Sequence, residues 1–434
     1  MRHPALSMLK VWAACILLYA VLPFQLVDKH LTVEGFVILF LFLAAFCVGT
    51  LLIEPVKRGP VGPQRIDFST TERLLAAAGV VTVIALLFDL RDKSVLDLAE
   101  AYDLRSDQAS ALMEGAASSS TLGFQIGFLT YPAAYVYLVR AIVFERRPSL
   151  TRLAAFGVLP VLMATVAMGG RAPLLYAILI SMFALGTRKV CMRRQAPAGT
   201  RRRRRLGPLA LLAIGVIIAG ALYYFVAVFF TRAEVVGGAP GMFKVAEEIW
   251  GIGFRGPLAD LMFKALGDEV TYIVFIFNWY VVQGLMMGNF LFSDYHGPMQ
   301  LGVYGVDLVS ALVRRLDGAL VARNFDALQQ LGTYGFLPSA FGSLYVDLWF
   351  FGILVSGVWG ALTGLVYQRI CGARDSRWLV FAPFVTMGIL FSFINTPIGF
   401  SNGLVTHAWM LVAFLSARRL KLRRPRPLLI GSPA

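Results

Sequence analysis

The stretch "VTYIVFIFNWYVVQGLMMGNFLF", residues 270–292, is wholly uncharged. About 20 apolar residues in a helix cross the roughly 30 Å of hydrocarbon in a bilayer, so by length this stretch can span. Whether it does so decides on which side of a membrane every later loop lies. The surrounding chain supplies the frame. Of 434 residues, 58% are hydrophobic and 15% charged, whereas a soluble globular chain carries about a quarter charged residues. This excludes a large soluble core and indicates an all-α, polytopic membrane protein, since helices satisfy their own backbone hydrogen bonds in lipid.

Apolar runs predict ten spans, at about 9–27, 35–53, 74–88, 121–139, 153–168, 172–187, 206–230, 339–366, 378–394 and 404–417. The first, behind Arg2 and Lys10, has the build of a signal peptide. No small-residue cleavage site follows it, so it reads as a retained span. With the N-terminus inside, the inside segments are 1–10, 54–73, 140–152, 188–205, 367–377 and 418–434. They hold 28 of the 40 Lys and Arg and five of the 25 acids. That bias orients the chain with both termini cytoplasmic. The net charge of +15 is then loop basicity. The run "RRRRR" at 201–205 reads as an anchor beside anionic lipid, not a nucleic-acid site. Were 270–292 to cross alone, the basic tail "RRLKLRRPR" at 418–426 would move outside. The stretch is therefore expected to lie in the interface or re-enter, in preference to pairing with a hidden span.

Two longer segments, 89–120 and 231–338, are left on the outer side of a single membrane domain, 1–434. In 89–120, Val95, Leu98, Ala99 and Tyr102 share one helical face. In 231–338, Val309, Leu312, Val313, Leu316 and Leu320 form a stripe, with Arg314, Arg315 and Asp317 expected to point away into solvent. The four cysteines lie in spans or inside loops, so no structural disulfide is expected, and none has metal-ligand spacing.

Another stretch bears on chemistry. In "VAMGGRAPLLYAILI", 166–180, two apolar runs meet at Gly169-Gly170-Arg171. With arms of about 16 residues, each reaches only about 24 Å, which sets the turn below the outer surface. Pro173 suits the first turn of a new helix, and a helix N-terminus favours anions. Guanidinium forks hold phosphate in a bidentate manner. Arg171 reads either as a ligand for a lipid-linked phosphate or diphosphate or as a loop arginine snorkelling to the interface.

The segment "ATVAMGGRAPLLYAILI" resembles the Gly-x-Arg turn of the bacterial O-antigen (oligosaccharide repeat-unit) polymerase family. So does "GTYGFLPSAFGSLYVDLWFFGILVSGVWGALTGLVYQR", 332–369, through Thr333, Tyr345, Asp347 and Gly352. Trp349 stands where that pattern usually has its first glycine. The order of elements from about 74 to 420 follows the family. The resemblance implies a polymerase that joins undecaprenyl-diphosphate-linked oligosaccharide repeats on the periplasmic face of the inner membrane. A ligase moving finished glycan from the same lipid is the near alternative; a lipid-glycan transporter is a more distant one. It implies diphosphate binding by Arg171, Arg105 and Arg255, and substrate contacts from Tyr345 and Thr333. Asp347 would be the general base or a structural carboxylate pairing an arginine. A partner protein regulating chain length is further implied. No cofactor and no metal is called for: Asp-x-Asp occurs nowhere, and arginines would supply the fixed positive charge that a leaving diphosphate needs. Asp294, His296 and His407 are weaker polar candidates.

Overall fold

The computed structural model describes residues 3–27, 30–53, 65–91, 121–145, 147–168, 170–195, 223, 226–231, 233–333, 336–372 and 375–420. These residues are mostly helical. In chain order the helices are α1 Pro4–Val21, α2 Val33–Leu52, α3 Ser69–Leu90, α4 Leu122–Thr130, α5 Pro132–Phe144, α6 Leu150–Ala167, α7 Ala172–Gln195, α8 Gly238–Glu248, α9 Pro257–Asp294, α10 Asp307–Leu316, α11 Gly318–Gln330, α12 Ser339–Leu348, α13 Phe351–Cys371, α14 Ser376–Phe393 and α15 Gly403–Ser416. Among the described residues nine helices, with α4 and α5 counted as one, are long and apolar enough to cross a membrane; α15 is a shorter apolar one. Four three-residue strands form two antiparallel pairs: β1 Phe24–Leu26 with β3 Ile252–Phe254, and β2 Arg65–Asp67 with β4 Arg418–Leu420.

The two ends of the bundle differ chemically. The β2–β4 pair marks an end rich in ion pairs. Buried Arg140 meets Glu72 at 3.0 Å and Glu145 at 2.5 Å, and Arg152 meets Glu72 at 3.0 Å. The Arg188 guanidinium donates to the backbone carbonyls of Ile142 and Glu145, and Asp375 pairs with Arg377 and Arg419. A buried arginine facing two acids is costly to remove, because the acids are left uncompensated. Arg140→Ala is expected to cost about 3 kcal/mol, visible as a lowered melting temperature of the detergent-solubilised protein.

The opposite end carries the α1–α2 connection, and α9 lies there. Strand β3, just ahead of α9, pairs with β1 inside that connection. Toward the other end of α9, the Asn289 amide accepts the Thr32 N–H at 2.8 Å and donates to the Thr32 carbonyl at 3.1 Å, while the Ser293 and Thr32 hydroxyls bond to each other. Both ends of a 38-residue helix are thus tied to one connection. The helix kinks at Gly267, whose φ is 73°, and the Val281 carbonyl accepts from Cys15 Sγ in α1. Aromatic packing of Phe24, Phe254, Phe275 and Trp279 holds it there. Bound at both ends to one connection, α9 is by length and composition among the helices able to cross a membrane.

Helices α2 and α13 run parallel in close contact. Gly352, Ser356, Gly360 and Gly364 form a four-residue repeat of small side chains along α13, the pattern that lets helix backbones approach closely. Ser356 Oγ donates to the Phe42 carbonyl at 2.9 Å and Thr50 Oγ1 to the Gly360 carbonyl at 3.2 Å.

The structure corrects several expectations. The span predicted over 339–366 is two helices, α12 and α13, broken at Trp349, which has φ 51° and ψ −138°. That is a glycine-like backbone, at the position where the family resemblance expects glycine. The indole compensates by donating to the Gly297 carbonyl at 3.2 Å and stacking on Tyr345. Since glycine alone relieves this strain, Trp349→Gly is expected to melt higher than Trp349→Ala by an equivalent of about 1 kcal/mol, the reverse of their usual order in helices. The single apolar stripe expected from Val309 to Leu320 is likewise two helices. Asp317 ends α10 and caps α11 by accepting the Leu320 N–H at 2.9 Å. Leu312 and Leu316 are exposed, but Ser310 is buried and Arg314 half-buried. The face carrying Arg314 turns inward, contrary to expectation. The arms of the Gly-Gly-Arg turn are longer than 16 residues: α6 has 18 and α7 has 24. Residues 92–120, with their expected amphipathic helix, and 206–222 of the seventh expected span lie outside the described residues.

Candidate functional site

Two breaks in apolar helices build the site. The first is the turn between α6 and α7. Gly170 N–H donates to the Thr165 carbonyl at 3.2 Å, and the Arg171 carbonyl accepts the Leu175 N–H at 3.0 Å, so Arg171 opens α7. Its half-buried guanidinium lies 4.1 Å from the centre of the Phe229 ring. Stacking on an aromatic face occupies the π surface of a guanidinium, whose N–H donors point outward in its plane. Arg188 bonds at the ion-paired end, and only fifteen residues, about 22 Å of helix, separate it from Pro173.

The second break is the loop from 394 to 403, between α14 and α15. Here Ser401 and Asn402 both adopt left-handed backbone, φ 50° and 58°. Two successive residues of this kind persist only when the surroundings dictate them. Tyr131 donates its hydroxyl to the Ser401 carbonyl at 3.2 Å, and the Asn402 amide donates to the Phe128 carbonyl. The Asn402 Oδ1 is buried with no hydrogen-bond partner among the described residues. The Tyr135 hydroxyl joins the two breaks, 3.1 Å from the Pro173 carbonyl and 3.1 Å from Ser401 Oγ. Tyr131, Tyr135 and Tyr176 are buried side by side, with Phe400 against Tyr176.

A carboxylate completes the cluster. Asp307, the first residue of α10, lies beside Asn402 with its side chain exposed.

The sequence-predicted residues fall into distinct places. Asp347 is buried, with Oδ1 accepting the Tyr304 N–H at 3.1 Å and Oδ2 the Gly305 N–H at 2.9 Å. It pairs no arginine among the described contacts; it anchors the 302–305 loop that leads into Asp307. That loop and the 394–403 loop meet backbone to backbone, and a Cβ on Gly399 would collide with the Gly305 carbonyl. Tyr345 packs in an aromatic core with Phe292 and Trp349. Thr333 is buried, its hydroxyl donating to the Leu328 carbonyl at 3.2 Å behind α11. Arg255 is exposed and ion-paired with Glu247. Arg105 lies outside the described residues. Asp294 and His296 are exposed, and His407 Nδ1 bonds the Gly403 carbonyl within α15. Of these residues, Arg171 lies two positions ahead of Pro173, whose carbonyl the Tyr135 hydroxyl contacts.

Asp307, Ser401, Asn402, Tyr131 and Tyr135 escape sequence reasoning. The available signals are the i, i+4 tyrosines ahead of a proline-broken helix and the turn-rich "NTPIGFSNG" at 395–403 between two apolar helices. A separate apolar cavity of about 370 Å³, lined by Gly297, Pro298, Met299, Trp349, Phe350 and Phe351, shares no residue with this cluster.

No family model, curated protein or solved structure matches the chain.

Proposed function

We propose that the protein is a membrane glycosyltransferase that polymerises glycan repeats carried on undecaprenyl diphosphate, working at the α1–α2 end of the bundle, which faces the periplasm. The observation that carries this reading is Arg171. A half-buried guanidinium, backed by an aromatic ring, opens a helix whose N-terminus itself favours negative charge. That is a fixed site for a diphosphate, and a departing diphosphate is where an uncatalysed glycosyl transfer most needs positive charge. The basic, ion-paired end fits the cytoplasm, and an α9 that lies in the interface or re-enters would keep the basic tail there.

The test is deletion of the gene and display of the cell's glycan on a gel. A polymerase is expected to leave a single repeat on the final acceptor and no ladder. Long lipid-linked chains that fail to reach the acceptor would instead assign the protein as a ligase, and an unchanged ladder would remove the proposal. Gly399→Ala, which pushes the two loops apart, is expected to lower ladder intensity at least about tenfold in protein that still accumulates in the membrane.

A further inference from the structure

We infer that the apolar cavity at the α12–α13 break holds an acyl chain of a membrane phospholipid whose ammonium headgroup, of the ethanolamine type, is taken by Glu34 and Asp294. The assignment stands apart from the polymerase reading. The cavity, about 370 Å³, has the size of a ligand pocket, and hydrogen bonds fix its walls. On one side, the Tyr295 hydroxyl donates to the Pro298 carbonyl at 2.7 Å, and the Leu301 N–H donates to the Asp347 carbonyl at 2.9 Å. On the other, the Trp349 indole donates across to the Gly297 carbonyl at 3.2 Å. Leu301 and Trp349 each hold a φ of 51°, a backbone that persists only where the surroundings dictate it. A cavity formed in advance spares a ligand the cost of ordering its walls.

Position selects the class of occupant. Phe351, in one wall, opens α13, a helix long and apolar enough to cross a membrane. Met299, Phe350, Phe351 and, one turn along α13, Leu354 are all exposed and apolar, so the chains of a bilayer are what reach the cavity. Charge selects the headgroup. Asp294 ends α9 three residues ahead of Gly297. The bonded hydroxyls of Ser293 and Thr32 bring Glu34, in the first turn of α2, to the same place. Glu34 is within electrostatic reach of Tyr345, which stacks on Trp349. Both carboxylates are exposed, and among the described residues neither forms an ion pair. An anionic headgroup would set its charge against both. An ethanolamine ammonium meets them with N–H donors of its own.

The full chain, purified in detergent, is to be titrated with phosphatidylethanolamine and, separately, with phosphatidylglycerol of the same acyl chains, the bound lipid being counted by native mass spectrometry. The parent is expected to hold one phosphatidylethanolamine at least about fivefold more tightly than phosphatidylglycerol. Glu34→Gln combined with Asp294→Asn changes two exposed side chains; that protein is expected to fold and to bind both lipids without preference. Met299→Trp, which fills the cavity from an exposed position, is expected to lose the bound lipid of either kind. Equal retention of the two lipids by the parent, a preference for phosphatidylglycerol, or a preference that survives in the double variant would overturn the inference. Parental binding by Met299→Trp would do the same. Should Met299→Trp fail to accumulate, Phe351→Trp, at a position 65% exposed, decides in its place: loss of the lipid supports the assignment, and parental binding ends it. The glycan ladder enters none of these outcomes, so the polymerase reading stands or falls separately.

Discussion

Arg171→Lys is expected to leave the bundle folded and its membrane level unchanged, and to reduce glycan polymerisation by about 100-fold or more. Lysine retains the charge, so a site needing only electrostatic attraction would keep most activity. It loses the planar fork that meets two phosphate oxygens at once and the flat face that stacks 4.1 Å from the Phe229 ring centre. A flexible ammonium ahead of α7 is also less fixed in place, and preorganisation supplies much of the electrostatic stabilisation of a leaving group. Ladder intensity on a gel, normalised to protein level, measures the effect. Retention of more than about a third of the parental ladder would reduce Arg171 to a surface cation.

The largest expected effect on folding is at Gly360. A Cβ there would enter the van der Waals shell of the Phe46 carbonyl in α2. Neither backbone can yield without parting the helices. Gly360→Leu is expected to cost about 3 kcal/mol or more, to break the Thr50–Gly360 hydrogen bond, and to leave little protein in the membrane. Gly186→Leu, in α7, is the control: no atom lies within 4 Å of a Cβ there, so that protein should accumulate.

Sequence legibility followed the physics of each element. The apolar helices were readable because lipid demands long uncharged runs. What escaped was set by tertiary contact. Nothing about Trp349 marks a helix break; the break exists because Gly297 and Tyr345 hold the indole. Arg314 reads as a solvated position on an amphipathic helix until the fold turns that face inward. Within the candidate site, Arg171 was legible as a charge between apolar runs. Asp307 was not, because an acid at the start of an amphipathic helix ordinarily caps it in water. Asp347 was legible as a significant carboxylate, but its role depends on backbone N–H groups more than forty residues earlier, which no local pattern records.

The placement of α9 also couples it to the α1–α2 connection. Strand β1 pairs just ahead of this 38-residue helix and Thr32 bonds Asn289 near its end, so a disturbance along α9 is transmitted directly to the junction of the first two helices.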